Sequence, residues 1–204
     1  MPKTTIQSAL FPLFNYLGQF HSLSAEFIAL HEKQCKIIQI KKYKYILSPL
    51  DHNHYLYFLV NGMVRGFIKE GDKDISTWFS FGNEIIGAMR NPKAVNPHSI
   101  EYLQALDNCE LIIMPRTLLE SSYMSFPEGI LINRHLMALN CYTASERAIL
   151  ARIPNASDRY RKLEVEGFDF SRIPMRYLAS YLGMRLETLS RIRHKVLTTH
   201  LELV

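Results

Sequence analysis

Between Lys36 and Met114 the chain is cut into short runs rich in Ile, Tyr, Phe, Val and Trp, separated about every ten positions by turn-forming residues. The runs are KIIQIK, YKYIL, YLYFLV, MVRGFIK, ISTWFSF, EIIGAM, SIEYLQAL and ELIIM. The breaks are Ser48-Pro49, Asn61-Gly62, Gly71-Asp72, Gly82-Asn83, the stretch Asn91 to Pro97, and Asp107-Asn108. About eight strands at this spacing predict a double-sheet antiparallel barrel, a jelly roll, and nothing within it calls for catalysis. The flanks follow another period. From about Thr5 to Gln34, Phe20, Leu23, Phe27, Ile28 and Leu30 have helical spacing, which predicts short helices ahead of the strands.

After the last strand run, Pro115 to Tyr123 reads as a short helix, and Pro127 precedes a proline-free stretch from Glu128 to Ile153. A helix of about 25 residues extends roughly 37 Å, longer than one small domain needs for its own core. Ile132, Leu136, Leu139, Leu150 and Ile153 fall near one face of it, interrupted by Thr143 and Glu146. That stripe suits either pairing with a second copy of the chain or packing along the barrel.

Pro154 breaks this helix, and Asn155, Ser157 and Asp158 supply a cap for a further one, Arg159 to Glu166. The segment Ile173 to Lys195, IPMRYLASYLGMRLETLSRIRHK, then has the offsets of two helices crossing at a tight turn. Tyr177, Leu178 and Leu182 would face inward from the first helix, and Pro174 suits its first turn. Ala179 is small enough for close crossing, and Gly183 suits a left-handed helix end. In the second helix Leu186, Leu189 and Ile192 recur at i, i+3, i+6 and are expected to face inward, leaving Arg185, Glu187, Thr188, Arg191 and Lys195 outside. Such a face suits a DNA major groove: guanidinium groups fork onto guanine O6 and N7 or onto phosphates, and a carboxylate accepts from cytosine N4. The plainer alternative is an amphipathic hairpin with a solvated charged face.

Charge agrees with an anionic partner without naming a sequence. The net charge is +5 with a pI near 9.1. From Pro154 onward Arg159, Arg161, Lys162, Arg172, Arg176, Arg185, Arg191, Arg193 and Lys195 outnumber Asp158, Glu164, Glu166, Asp169, Glu187 and Glu202. No apolar run approaches the roughly 20 residues that span a bilayer, and the start lacks a signal-peptide pattern, so a cytoplasmic protein without membrane partners is expected. Cys35, Cys109 and Cys141 are odd in number and lack a CxxC, which predicts buried thiols rather than disulfides or a cluster. His21, His31, His52, His54 and His98 are scattered and name no metal site. No nucleophile with its base, no paired catalytic carboxylates and no phosphate-binding glycine loop can be assembled, so an enzyme is not expected.

An α+β chain in this order, a jelly roll, a long helix and a C-terminal helix-turn-helix, resembles the Crp/Fnr family of bacterial transcription regulators over nearly its whole length. The most specific match is PMRYLASYLGMRLETLSRIR, Pro174 to Arg193, which looks like the helix-turn-helix of members from Bacteroidetes-type bacteria. The resemblance implies a cyclic-nucleotide-binding-like sensory roll over 1–126, a dimerisation helix over 127–153 and a DNA-binding domain over 154–204. It implies a homodimer on double-stranded DNA, with RNA polymerase as a further partner and an unidentified small-molecule effector. Base reading carries over to Glu187 and Arg191 and phosphate contact to Thr188, with Arg185 and Lys195 beside them. Leu186 stands where the best-known members have arginine, which predicts a different half-site.

The family's phosphate-binding cassette maps to Gly82 through Leu106, with Gly87, Ala88, Met89, His98 and Ser99 as the candidate effector pocket. Ala88 stands where a ribose-binding glutamate is expected, and His98-Ser99 where Arg-Ser is expected, so cyclic AMP is not the expected ligand. Arg90 and Lys93 lie in the same segment and could meet an anion differently. No cofactor is identified. VLTTHLELV, after Lys195, is too short for the usual β-hairpin wing, so a truncated wing is expected. The alternative function is a ligand-binding or protein-interaction module of the same fold that does not read DNA.

Overall fold

The computed structural model describes residues 9–89, 91, 93, 98–169 and 171–201, with side chains as far as Lys195. Arg90, the greater part of the Asn91 to Pro97 break, the start of the predicted N-terminal helical stretch and the last three residues lie outside the described residues. The elements are α1 (Phe11–Gly18), α2 (Ala25–Gln34), β1 (Lys36–Ile40), β2 (Tyr45–Leu47), β3 (Tyr55–Asn61), β4 (Val64–Glu70), β5 (Lys73–Ser80), β6 (Glu84–Ile86), β7 (Tyr102–Ala105), β8 (Cys109–Pro115), α3 (Arg116–Ser125), α4 (Pro127–Arg152), α5 (Ala156–Val165), α6 (Met175–Tyr181) and α7 (Leu186–Leu201). Each predicted strand run yields one strand.

The strands form two four-stranded sheets, ordered β1-β8-β3-β6 and β2-β7-β4-β5. Strand β8 is central to the first sheet, pairing antiparallel with β1 from Lys36↔Ile113 to Ile40↔Cys109 and with β3 from Tyr55↔Pro115 to Leu59↔Leu111. The register sets Phe58 opposite Ile112, and both are fully buried. Leu13, Phe14 and Leu17 of α1, Phe27 of α2, Leu118 of α3 and Ile132 of α4 join them in one apolar cluster. Burying each such side chain contributes about 2 kcal/mol.

Two local devices seat the helices. Ser24 caps α2 by accepting from Phe27 N–H at 3.2 Å while its hydroxyl donates to Glu128 Oε1, which also accepts from Ser24 N–H at 3.1 Å. The Ser24 hydroxyl holds the Glu128 carboxyl below its usual range. At Gly129 a Cβ would lie 2.5 Å from the Ser122 carbonyl oxygen, so only glycine lets the first turn of α4 pass this close to α3.

Helix α4 runs 26 residues, close to the predicted length. Of the stripe expected to offer a dimer seam, Ile132 and Leu136 pack in the roll's core and Leu150 is buried in the chain itself. Leu139, of the same stripe, is exposed, as are Ile130, Leu131, Met137, Tyr142 and Ile149 elsewhere around the helix. Cys35 and Cys109 are buried as expected, and burial pushes the Cys35 thiol up to about 12. Cys141 is exposed, contrary to expectation, because it falls on the outward face of α4.

By compactness the chain divides into two units. One holds the chain up to Gly66 with Phe79–Leu139; the other holds Phe67–Trp78 with the chain from Asn140 onward. The outer part of the β4–β5 hairpin therefore clusters with the C-terminal helices. No helix among the described residues is long and apolar enough to cross a membrane.

Candidate nucleic-acid interface

Helix α6 starts one residue later than its proline, since Pro174 is the N-cap, its carbonyl accepting from Tyr177 N–H at 2.9 Å and Leu178 N–H at 3.2 Å. Helix α5 starts earlier than expected, at Ala156, with the Asn155 side chain accepting from Ser157 N–H at 2.9 Å. Tyr177, Leu178, Ala179 and Leu182 are buried, as is Leu189 of α7 and Tyr160 and Leu163 of α5. The turn is specified by its hydrogen bonds. Gly183 has φ +61°, and Met184 N–H donates to the Ala179 carbonyl at 3.0 Å, the six-to-one closure of a Schellman motif.

Arg159 staples this turn. Its Nε donates to the Leu182 carbonyl at 2.6 Å, Nη1 to the Ile153 and Pro154 carbonyls at 2.7 and 3.1 Å, and Nη2 to the Gly183 carbonyl at 3.3 Å. A guanidinium thus satisfies orphan carbonyls at the C-terminal ends of α4 and α6 and complements both helix dipoles. This role carried no periodic signal in the sequence, where Arg159 counted only as one more basic residue.

Other members of the basic surplus are also engaged internally. Lys162 pairs with Glu146 at 2.9 Å and with Glu166, and those carboxylates, Glu166 foremost, hold its ammonium above the usual lysine range. The Arg176 guanidinium lies 4.5 Å from the centre of the Tyr177 ring, and Arg193 reaches the Met175 sulfur and the Tyr160 hydroxyl. The charge available to a partner is thereby narrowed.

Arg185, just before α7, and Glu187, Arg191 and Lys195 on it are exposed, and Thr188 is half-buried. A groove of about 830 Å³ between α5 and α7 brings Thr188, Arg191 and Lys195 together across from Ser157 and Arg161, while Arg185 and Glu187 lie outside it. Leu186 departs from the predicted inward stripe, being exposed where Leu189 is fully buried. Beyond Lys195 the chain continues as helix through Leu201.

The residues of the candidate effector pocket are knit into their own roll. The Ala88 carbonyl accepts from Asn53 Nδ2 at 3.1 Å and from Arg116 Nη2 at 3.5 Å, and Arg116 Nε donates to the Asn53 carbonyl at 3.1 Å. At Gly87 a Cβ would run into the Leu56 side chain. Met89 N–H donates to Glu101 Oε2 at 3.0 Å, and Glu101 N–H donates to the Ser99 hydroxyl at 3.1 Å. Ala88 and Ser99 are buried, His98 is half-buried and the Met89 side chain is exposed. His98 Nδ1 donates to the Asp51 carbonyl at 3.0 Å, and the His52 ring lies 4.7 Å from His98 and 5.3 Å from His54. Among the described residues no group of three or more His, Cys, Asp or Glu is placed to hold a metal ion.

No family model matches the sequence, and no curated protein matches it either. Solved structures share its fold. FixK2 from Bradyrhizobium japonicum is 19% identical, the alignment covering 81% of this chain and 86% of that one with a TM-score of 0.69. The c-di-GMP-responsive global regulator CLP from Xanthomonas campestris is 16% identical over 87% of this chain and 93% of its own, with a TM-score of 0.68. A Crp/Fnr-family transcriptional regulator from Eubacterium rectale is 17% identical over 91% of this chain and 88% of its own, with a TM-score of 0.65. A β-roll of eight strands followed by a long helix and a C-terminal helix-turn-helix gives this chain the fold of the Crp/Fnr transcription regulators.

Proposed function

We propose that this chain is a transcription regulator that binds double-stranded DNA as a homodimer, each copy placing α7 in a major groove of a palindromic site. The observation that carries this is the polarity of α7: Leu189 is buried while Glu187 and Arg191 are exposed on the opposite side, with exposed Arg185 just before the helix. Glu187 and Arg191 lie four residues apart, one helical turn, so both can reach base edges in one groove. Thr188 and Lys195 contact phosphates, and two half-sites lie about 34 Å apart, one turn of DNA.

The same proposal excludes cyclic AMP as the effector. Ala88 offers no side-chain acceptor for a ribose hydroxyl, and the Met89 N–H, a backbone donor that a cyclic phosphate could use, is already taken by Glu101 Oε2 at 3.0 Å. Selection of duplexes from a random library tests both parts. An imperfect palindrome should be enriched, its affinity unchanged by added cyclic AMP and falling steeply with salt as counterions are released. Enrichment of no sequence would overturn the DNA reading, and a cyclic AMP-dependent affinity would overturn the assignment of the cassette.

A further inference from the structure

An exposed leucine on a protein surface is ordinary, but Leu186 occupies a particular place. It is the first residue of α7, 45% exposed, with exposed Arg185 and Glu187 on either side. Side chains on a helix tilt toward its N-terminus, so Leu186 projects past the start of α7. In a helix-turn-helix that end of the second helix is the one that meets base edges. Leucine offers no hydrogen bond there. What the major groove offers an apolar side chain is the C5-methyl group of thymine, which stands beside the acceptors and donors that the flanking Arg185 and Glu187 can address.

We propose that Leu186 is a specificity-determining residue that reads a thymine methyl group in each half-site. The contact withdraws apolar surface from water on both partners, and it favours thymine over cytosine at that base pair without any hydrogen bond to the base. This rests on α7 being the recognition helix, as proposed above.

The test uses the full chain and the duplex enriched from the random library, with its thymines replaced one at a time by deoxyuridine. That change removes one methyl group and leaves base pairing and hydrogen-bonding groups intact. The wild-type protein should lose affinity about fourfold at one thymine per half-site, the worth of one methyl group removed from water. Leu186→Ala should bind the thymine and uracil duplexes equally at that position while keeping its discrimination at the other base pairs, which also shows that the variant is folded. Leu186→Val, with a shorter side chain, should give an intermediate penalty. A wild-type protein indifferent to uracil at every position, or a penalty that persists undiminished in Leu186→Ala, would overturn the assignment to Leu186 while leaving DNA binding itself intact. Enrichment of no duplex would instead remove the recognition helix on which the assignment depends.

Discussion

His31 is almost fully buried, 1% exposed, with its ring stacked on Phe27 at 4.1 Å and its Nδ1–H donating to the Phe27 carbonyl at 2.8 Å. Burial lowers its pKa below the usual 6.5, a shift only partly opposed by the hydrogen bond to Phe27. The folded chain therefore refuses a proton that the unfolded chain accepts once pH falls below about 6.5, and stability rises with pH wherever the unfolded state binds more protons. The stabilisation is complete above pH 6.5 and is lost as pH falls from there toward the lowered value. His31→Phe keeps an aromatic ring in the stack and removes the titration. Thermal unfolding followed by circular dichroism between pH 7.5 and 5.5 should show a falling midpoint in the wild type and a flatter profile in the variant. Parallel profiles would show that His31 is not the group responsible.

At the scale of elements, strand β5 poses the problem of an edge. It is the last strand of its sheet, so alternate N–H and C=O groups along its outer side have no strand partner. The Ser180 hydroxyl of α6 meets two of them, donating to the Asp74 carbonyl at 2.8 Å and accepting from Ser76 N–H at 3.0 Å. One side chain of the helix-turn-helix thus satisfies two backbone groups on the edge of the β4–β5 hairpin. Ser180→Ala removes both bonds and should cost about 1 kcal/mol. Amide exchange at Ser76 should accelerate relative to amides elsewhere in the same unit, whereas unchanged protection at Ser76 would show that water replaces the hydroxyl without loss. The strands themselves were legible in the sequence because alternation and turn residues are local signals. The hairpin's attachment to α6 was not, since 104 residues separate Ser180 from Ser76 and serine has no periodic signature. The same limit hid Arg159, whose four carbonyl partners belong to residues that only the folded turn brings together. Leu186 departs from its stripe for a different reason: the i, i+3 period holds along α7, but its first residue lies beyond the reach of the elements that cover Leu189.

For the molecule as a whole, α4 decides how many copies act together. Periodicity marked an apolar stripe on this helix, and the fold uses much of it internally, through Ile132, Leu136 and Leu150. What remains outside is a second row. Leu131, Tyr142 and Ile149, spaced eleven and seven residues apart, lie within about 20° of one another around the helix, and all three are exposed. Spacings of eleven and seven keep an apolar row on one face of a helix, and two copies can bury such a row against each other. Parallel pairing along this row would join two α7 helices in one particle, so each half-site raises the effective concentration at the other. Tyr142→Glu combined with Ile149→Glu places charge at two positions that are 64% and 50% exposed, so the fold of each copy should survive. Light scattering should give twice the 23.7 kDa chain mass for the wild type and the single chain mass for the double variant. Affinity for a two-half-site duplex should fall at least tenfold while affinity for a single half-site stays the same, since only the linkage between copies is lost. A wild-type protein that scatters as a monomer at the concentrations where it binds DNA would defeat the dimer, and a variant that remains dimeric would move the seam to another face.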